Sequence, residues 1–281
     1  IYITPRRVGE DGWELSIKAL IDNADCSHKA RFTLIDADGN EKASTIADLR
    51  PIISAKLPVE DPVLWNGRKN PYLYTVRCEI FDSTTQEVTD NIDIRTGLRE
   101  YHIDSHKGFF LNGEHIKLQG VSRHQDRENM GNAITEKQHA EDVKIILDVG
   151  ANSVRLAHYQ QNSYFYDLCD ESGLLVWAEV PVISRFSPKR NENAEQQLVE
   201  LIKQNYNHPS IFCWGIENEI TIAGSASKKL ITFLKHMHKI ARHLDPTRYT
   251  TCAQLTMCPV NSPLNHITDI IGYNHYYGWY M

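Results

Sequence analysis

The hydrophobic period of this chain changes near residue 100, and that change limits the fold more than any other feature. From Trp13 to Ile21 the run WELSIKALI puts Trp13, Leu15, Ile17, Ala19 and Ile21 on one side, the two-residue repeat of a strand with one buried face. Tyr72, Tyr74, Val76, Cys78 and Ile80 repeat the pattern against Leu73, Thr75, Arg77 and Glu79. Ala30 to Asp36 forms another short strand, ended by the turn signal Asp38-Gly39-Asn40. No segment before His102 carries the stripe of a long amphipathic helix. Short strands separated by turn residues predict an all-β, immunoglobulin-like sandwich over residues 1–98.

Beyond Phe109, strands alternate with helices. Thr135 opens a helix with the capping box T-E-K-Q, Ala140, Val143, Ile146 and Leu147 form its stripe, and Gly150 ends it. A second helix lies around Tyr164 to Asp170, and a third carries Leu198, Leu201 and Ile202. The longest places Leu230, Phe233, Leu234, Met237, Ile240, Ala241 and Leu244 on one face before Asp245-Pro246 stops it. Between them run strands at Ile116–Val121, ANSVRLAH, LLVWAEV, IFCWGIENE, Tyr249–Gln254 and Ile270–His275, the order of parallel βαβ units. No G-x-G-x-x-G turn follows any strand, which leaves the dinucleotide-binding sheet without support. A (β/α)8 barrel needs eight strands, so residues 99–281 are predicted to form an incomplete TIM barrel of about six, stopping before the seventh. Such a barrel would be partly open, with two edges to cover.

Charge and hydropathy narrow the partners. Thirty Lys and Arg against 36 Asp and Glu give a net charge of −6 with no basic run, so nucleic acid is not expected to bind. No apolar stretch approaches the ~18 residues of a membrane helix, and IYITPRRVGEDGW lacks the apolar core of a signal peptide, so no membrane contact is expected. The six cysteines have no paired spacing and read as small buried apolar side chains. An isoleucine at the start and an aromatic cluster at the end suggest a stretch of a longer protein. Self-association into a homo-oligomer is left open.

In a barrel, chemistry sits at the C-terminal ends of the strands. There the first strand leads into Arg123, His124, Gln125 and Asp126, the second into Arg155 and His158, and the third into Glu179. The fourth leads into Glu217, Asn218 and Glu219, and the sixth into Asn274, His275 and Tyr276. Imidazole, carboxamide and carboxylate converging beside Trp177, Trp214, Tyr159 and Trp279 suit a small, neutral, polyhydroxylated substrate, a carbohydrate.

Several ordered motifs sharpen this: PVLWNGRKNPYLYTV, GFFLNGEHIKLQGVSRHQD, GANSVRLAHY, CDESGLLVWAEVP, NHPSIFCWGIENE and DIIGYNHYYGWY. Through them nearly the whole chain resembles the sandwich and first part of the barrel of glycoside hydrolase family 2. GVSRHQD most resembles the β-galactosidases, with β-glucuronidases and β-mannosidases as runners-up. The resemblance implies a retaining glycosidase with two carboxyl groups. It assigns the acid/base role to Glu219, the sugar 2-hydroxyl contact to Asn218, and other hydroxyl contacts to His124, His158, Asn274 and Tyr276. The family's nucleophile stands on the seventh strand, so this stretch is expected not to hydrolyse glycosides by itself. Where some β-galactosidases of the family hold magnesium, the aligned residues are Val182, Ile183, Ser184 and Arg185, so no metal or other cofactor is expected.

Other residues are read as structural. Glu217, two positions before Glu219, should share its side of the strand and pair with a group such as Arg155; Glu179 should pair with an arginine in the barrel mouth. Trp177 and Trp214 read as core, while Trp279 and Tyr280 stay open. Tyr72 and Tyr74 fall on a buried face, against a carbohydrate-binding role for the sandwich; a barrel that binds sugar without cleaving it is the remaining alternative.

Overall fold

In the computed structural model, which describes residues 1–9 and 12–278, the N-terminal alternation becomes seven strands: β1 (Tyr2–Val8), β2 (Gly12–Leu20), β3 (His28–Ile35), β4 (Glu41–Asp48), β5 (Ile52–Val59), β6 (Tyr74–Asp82) and β7 (Val88–Thr96). They pair antiparallel in two sheets, β1-β2-β5 and β4-β3-β6-β7, the immunoglobulin-like arrangement. Trp13, Leu15, Ile17 and Ala19 of β2 join Phe32, Leu34, Tyr74 and Val76 in one buried cluster. Each fully buried large side chain there contributes about 1.5–3 kcal/mol of transfer free energy. After β3 the chain reverses at Asp36, whose Oδ1 accepts the N–H groups of Asp38 and Asn40.

A small three-stranded antiparallel sheet follows, β8 (Tyr101–Asp104), β9 (Gly108–Leu111) and β10 (Glu114–Ile116), and then β11 (Gly120–Arg123). The single strand expected over Ile116–Val121 is therefore two. Ile116 pairs antiparallel with Phe109, whereas Gly120 to Arg123 run parallel to Ser153 to Leu156. Two unrelated partners break one apolar run.

The rest forms α1 (Glu136–Asp148), β12 (Ser153–Leu156), α2 (Ser163–Ser172), β13 (Leu175–Glu179), α3 (Asn191–Asn205), β14 (Ile211–Asn218), α4 (Lys228–Leu244), β15 (Tyr249–Leu255) and β16 (Ile270–Asn274). Strands β11 to β16 make one parallel sheet in chain order, six staves of an incomplete (β/α)8 barrel. Among the described residues β11 and β16 each pair with one strand of this sheet. The capping box of α1 forms as expected between Thr135 and Gln138, and Leu230, Phe233, Leu234, Met237 and Ala241 of α4 are buried. Trp214 of β14 points outward, its indole N–H donating to Asp245 Oδ2 at 3.0 Å, where Arg248 donates too. That fixes the side of β14 that faces the helices. By packing the chain divides into two units, Ile1–Leu118 with Asp170–Leu174 and Tyr206–Pro209, and Gln119–Cys169 with Leu175–Asn205 and Ser210–Met281. No helix among the described residues is long and apolar enough to cross a membrane.

Candidate active site

Strand alternation sends Arg155 of β12, Trp177 and Glu179 of β13, Gly215 of β14, and Gly272 and Asn274 of β16 to the inner side of the sheet. The glycines are there for room. A Cβ on Gly215 would lie 2.6 Å from Glu179 Cγ and 2.7 Å from Trp177 Nε1, and one on Gly272 would lie 2.6 Å from the Trp177 ring.

Arg155 is the hub. Its Nε donates to Glu179 Oε1, its Nη1 to Asn274 Oδ1 at 2.8 Å and its Nη2 to Asn218 Oδ1 at 2.7 Å, while the guanidinium lies 4.7 Å from the centre of the Trp177 ring. One rigid fork thus joins three strand ends. Glu179 is only 1% exposed, and such a buried anion persists because Arg155 and His158 both reach it. His158 Nδ1 lies 2.8 Å from Glu179 Oε2. An ionised carboxylate only accepts, so Nδ1 donates to it and the ring is oriented by that bond. His124 stands edge-on to His158 with ring centres 5.3 Å apart. Below them burial, with the Glu179 charge second, pushes the Cys213 thiol well above its ordinary range, so it remains a neutral thiol.

Glu219 reaches this network through an irregular strand end. Gly215 pairs with Thr251 but Asn218 with Ala253, so β14 holds one residue more than β15 over this stretch, a β-bulge. Asn218 is clamped beyond it: its N–H donates to Val182 O at 2.9 Å and its carbonyl accepts from Ser184 N–H at 3.1 Å. Glu219 then takes φ +50°, the left-handed region, with its N–H on Ala253 O at 2.8 Å. Its carboxyl, in a residue 8% exposed, accepts the Asn274 amide and the Tyr276 hydroxyl, both at 2.8 Å and both on Oε1. Asn274 Nδ2 also donates to Asn218 Oδ1 at 2.9 Å.

Of the residues singled out from the sequence, Asn218, Glu219, His158, Asn274 and Tyr276 therefore belong to one hydrogen-bonded net, and His124 flanks it through its ring. Glu179 pairs with an arginine as expected. Arg123 does not join: it turns to the opposite side, donates to Asp142 of α1 and Gln161, and lies 3.9 Å from the Phe165 ring centre. His275 is exposed, stacked between Tyr273 and Tyr277. Glu217 does not pair with Arg155. The bulge removes the two-residue alternation with Glu219, and Glu217 instead accepts Ile220 N–H at 3.1 Å beside the Cys252 thiol. Trp214 is fully buried, as expected of core, whereas Trp177 is half-buried and lines the inner side. Trp279 and Tyr280 lie outside the described residues. The member underrated by sequence reasoning is Arg155. Its signal is a charged residue set between the buried Val154 and Leu156 of one strand.

Chemically, the arrangement offers a shielded carboxyl with one oxygen held by two donors, a carboxamide beside it, and an imidazole fixed through Nδ1 to Glu179. Known proteins match it over the whole length. A family model described as glycosyl hydrolases family 2, TIM barrel domain, matches residues 103–281, and one described as glycosyl hydrolases family 2 matches residues 1–99. A β-glucuronidase of Bacteroides fragilis is 37% identical over 296 residues, covering 100% of this chain and 41% of that protein. The crystal structure of an FMN-binding β-glucuronidase from Facaelibacterium prausnitzii L2-6 is similar with a TM-score of 0.94 and 42% identity, covering 99% of this chain and 43% of that one. A putative β-galactosidase from Bacteroides fragilis is similar with a TM-score of 0.92 and 38% identity, covering 99% of this chain and 42% of that one. This chain thus spans about two fifths of these relatives, and over that span it belongs to glycosyl hydrolase family 2.

Proposed function

We propose that this stretch carries the acid/base and sugar-binding half of a retaining β-glycosidase, and that the substrate of the full-length protein is a terminal β-glucuronide, cleaved to glucuronic acid and the aglycone. The carrying observation is the placement of both donors on Glu219 Oε1. Oε2 is then the oxygen that holds a proton for the departing glycosidic oxygen and later takes one from water, as a retaining mechanism requires. Asn218 Oδ1 is occupied by Arg155 and Asn274, so its amide is oriented with Nδ2 outward, a donor for the sugar 2-hydroxyl. His158, its Nδ1 on Glu179, presents Nε2 to another hydroxyl, with His124 beside it.

No remaining carboxylate at the strand ends suits the nucleophile, and Asp126, beyond β11, is exposed. Glu179 is bound by Arg155 and His158, and Glu217 is buried against Cys252. Double displacement therefore needs a carboxylate from elsewhere in the protein, and residues 1–281 alone should not turn over substrate. The segment Val182 to Arg185 offers neither carboxylate nor imidazole, so no resident magnesium enters this reading.

The names of the relatives at 37% and 42% identity support a glucuronide, an anion rather than the neutral sugar the strand-end residues suggested, and we rank the β-galactosidase reading of GVSRHQD second; a putative β-galactosidase at 38% keeps it in view. The test is the full-length protein on aryl β-glucuronide, β-galactoside and β-mannoside, wild type against Glu219→Gln. The highest kcat/KM should fall on the glucuronide, with Glu219→Gln slower by about 100-fold or more. Preference for the galactoside would reverse the sugar assignment, and inactivity on all three would sink the reading.

A further inference from the structure

Glu217 has no part in the mechanism above, yet it is as completely enclosed as Glu179 and, unlike Glu179, has no cation bound to it among the described residues. It is 1% exposed. Its Oε2 accepts the Ile220 N–H at 3.1 Å, Oε1 has no partner within hydrogen-bond distance among the described residues, and the Cys252 thiol stands beside the carboxyl as a weak hydrogen-bonding neighbour. The bond from Ile220 spans Glu219, the residue held at φ +50°. A left-handed conformation costs a non-glycine residue about 1–3 kcal/mol and persists only where its surroundings fix it; here the backbone of the turn is held by Glu219 N–H on Ala253 O and Ile222 N–H on Glu219 O, and the one side chain among the described residues that joins them is Glu217, through the Ile220 N–H.

The charged groups that face Glu217 are few. Glu179 of β13 is an anion, Arg155 of β12 is committed to Glu179, Asn218 and Asn274, and Cys252 of β15 is a thiol that burial pushes up to about 12. An ionised Glu217 would be a buried anion with no cation of its own, an arrangement proteins avoid. Resting on the glycosidase reading, we propose that Glu217 is a positioning residue for Glu219: as a neutral acid whose Oε2 takes the Ile220 N–H, it sets the left-handed turn that carries Glu219 to Asn274 and Tyr276. Consistent with that geometry, burial above all, with the Glu179 charge adding, pushes its carboxyl up to about 8.

The test compares full-length wild type, Glu217→Gln and Glu217→Met on the preferred aryl glycoside. Gln keeps an acceptor for Ile220 and cannot titrate, so its kcat should stay within about threefold of wild type. Met leaves a buried N–H unpaired and should lower kcat about 10- to 100-fold, with KM changed far less, because the sugar contacts are untouched. Melting temperature gives a readout independent of activity. Between pH 5 and 8 the native protein keeps a proton on Glu217 that the unfolded chain gives up, so wild type should lose stability relative to Glu217→Gln as pH rises. A Gln variant as slow as Met, a Met variant as fast as wild type, or parallel melting curves for wild type and Gln would each overturn the proposal. A wild type inert on every glycoside would instead fail the glycosidase reading and take the positioning role down with it.

Discussion

Asn274 Nδ2 stands 2.8 Å from Glu219 Oε1, and its own Oδ1 is held at 2.8 Å by Arg155 Nη1. The amide therefore cannot flip without turning an acceptor onto the carboxylate and a donor onto a guanidinium. Asn274 is in effect a fixed donor that, with Tyr276, decides which oxygen of Glu219 is free.

If so, Tyr276→Phe should lower kcat about tenfold, the effect of one hydrogen bond to a reacting carboxyl. Asn274→Asp should cost more, since it sets a second anion against Glu219 and offers Arg155 a competing partner. Steady-state kinetics of the full-length protein measures both, and the loss should appear in kcat more than in KM.

Arg155 holds the site and also holds the fold. Its partner Glu179 has a side chain 1% exposed, so Arg155→Met leaves a buried carboxylate without its cation, a change worth about 3–5 kcal/mol. Arg155→Lys keeps the charge but cannot span Glu179, Asn274 and Asn218 at once. Urea denaturation should rank the three proteins wild type, Lys, Met, and the Lys variant should bind a glycone analogue more weakly than its stability alone would explain.

Much of this was legible in the sequence, for reasons that differ between elements. β2 announced itself because Trp13, Leu15, Ile17 and Ala19 face one core, and a two-residue period needs no knowledge of partners. The capping box at Thr135 is likewise local. The strand-end residues His158, Asn218, Glu219 and Asn274 could be placed because apolar runs mark where strands stop. What alternation cannot signal is an inserted residue. IENE reads as a regular strand end, which puts Glu217 and Glu219 on one side, whereas the bulge against β15 separates them. Nor could the reach of Arg155 be read, because its partners Glu179, Asn218 and Asn274 lie 24, 63 and 119 residues away along the chain. The break between Ile116 and Gly120 escaped for the same non-local reason.

Gly215 provides a test of close packing under the site. A methyl group there would press on Glu179 Cγ and Trp177 Nε1, and since Glu179 is tied to Arg155 and His158, the strain should travel into the net. Gly215→Ala is expected to cost about 1–3 kcal/mol of stability and at least tenfold in kcat/KM. Gly224, around which a Cβ would meet nothing within 4 Å, is the control, and Gly224→Ala should stay within about 0.5 kcal/mol of wild type. Comparable losses in the two variants would show that the fit around Gly215 is not what matters.

On the outward side of β14 the pH dependence should run opposite to that of Glu217. Burial alone would raise the Asp245 carboxyl, but the Arg248 guanidinium, the Thr247 hydroxyl and the Trp214 indole outweigh it and hold the group below the ordinary carboxylate range. A carboxyl whose folded value is depressed adds stability at every pH above its unfolded value, near 4, and loses that contribution as pH falls through the folded one. Asp245→Asn leaves Arg248, with a side chain 5% exposed, as a buried cation without its anion, so at pH 7 the variant should be less stable by about 3–5 kcal/mol. That gap should hold from pH 7 down to about pH 5 and then narrow, because only wild type has this proton to gain. Urea midpoints at pH 7, 5, 4 and 3 measure it. A gap that stays constant to pH 3 would mean that Asp245 is not held ionised by Arg248, and one that widens would reverse the sign of the linkage.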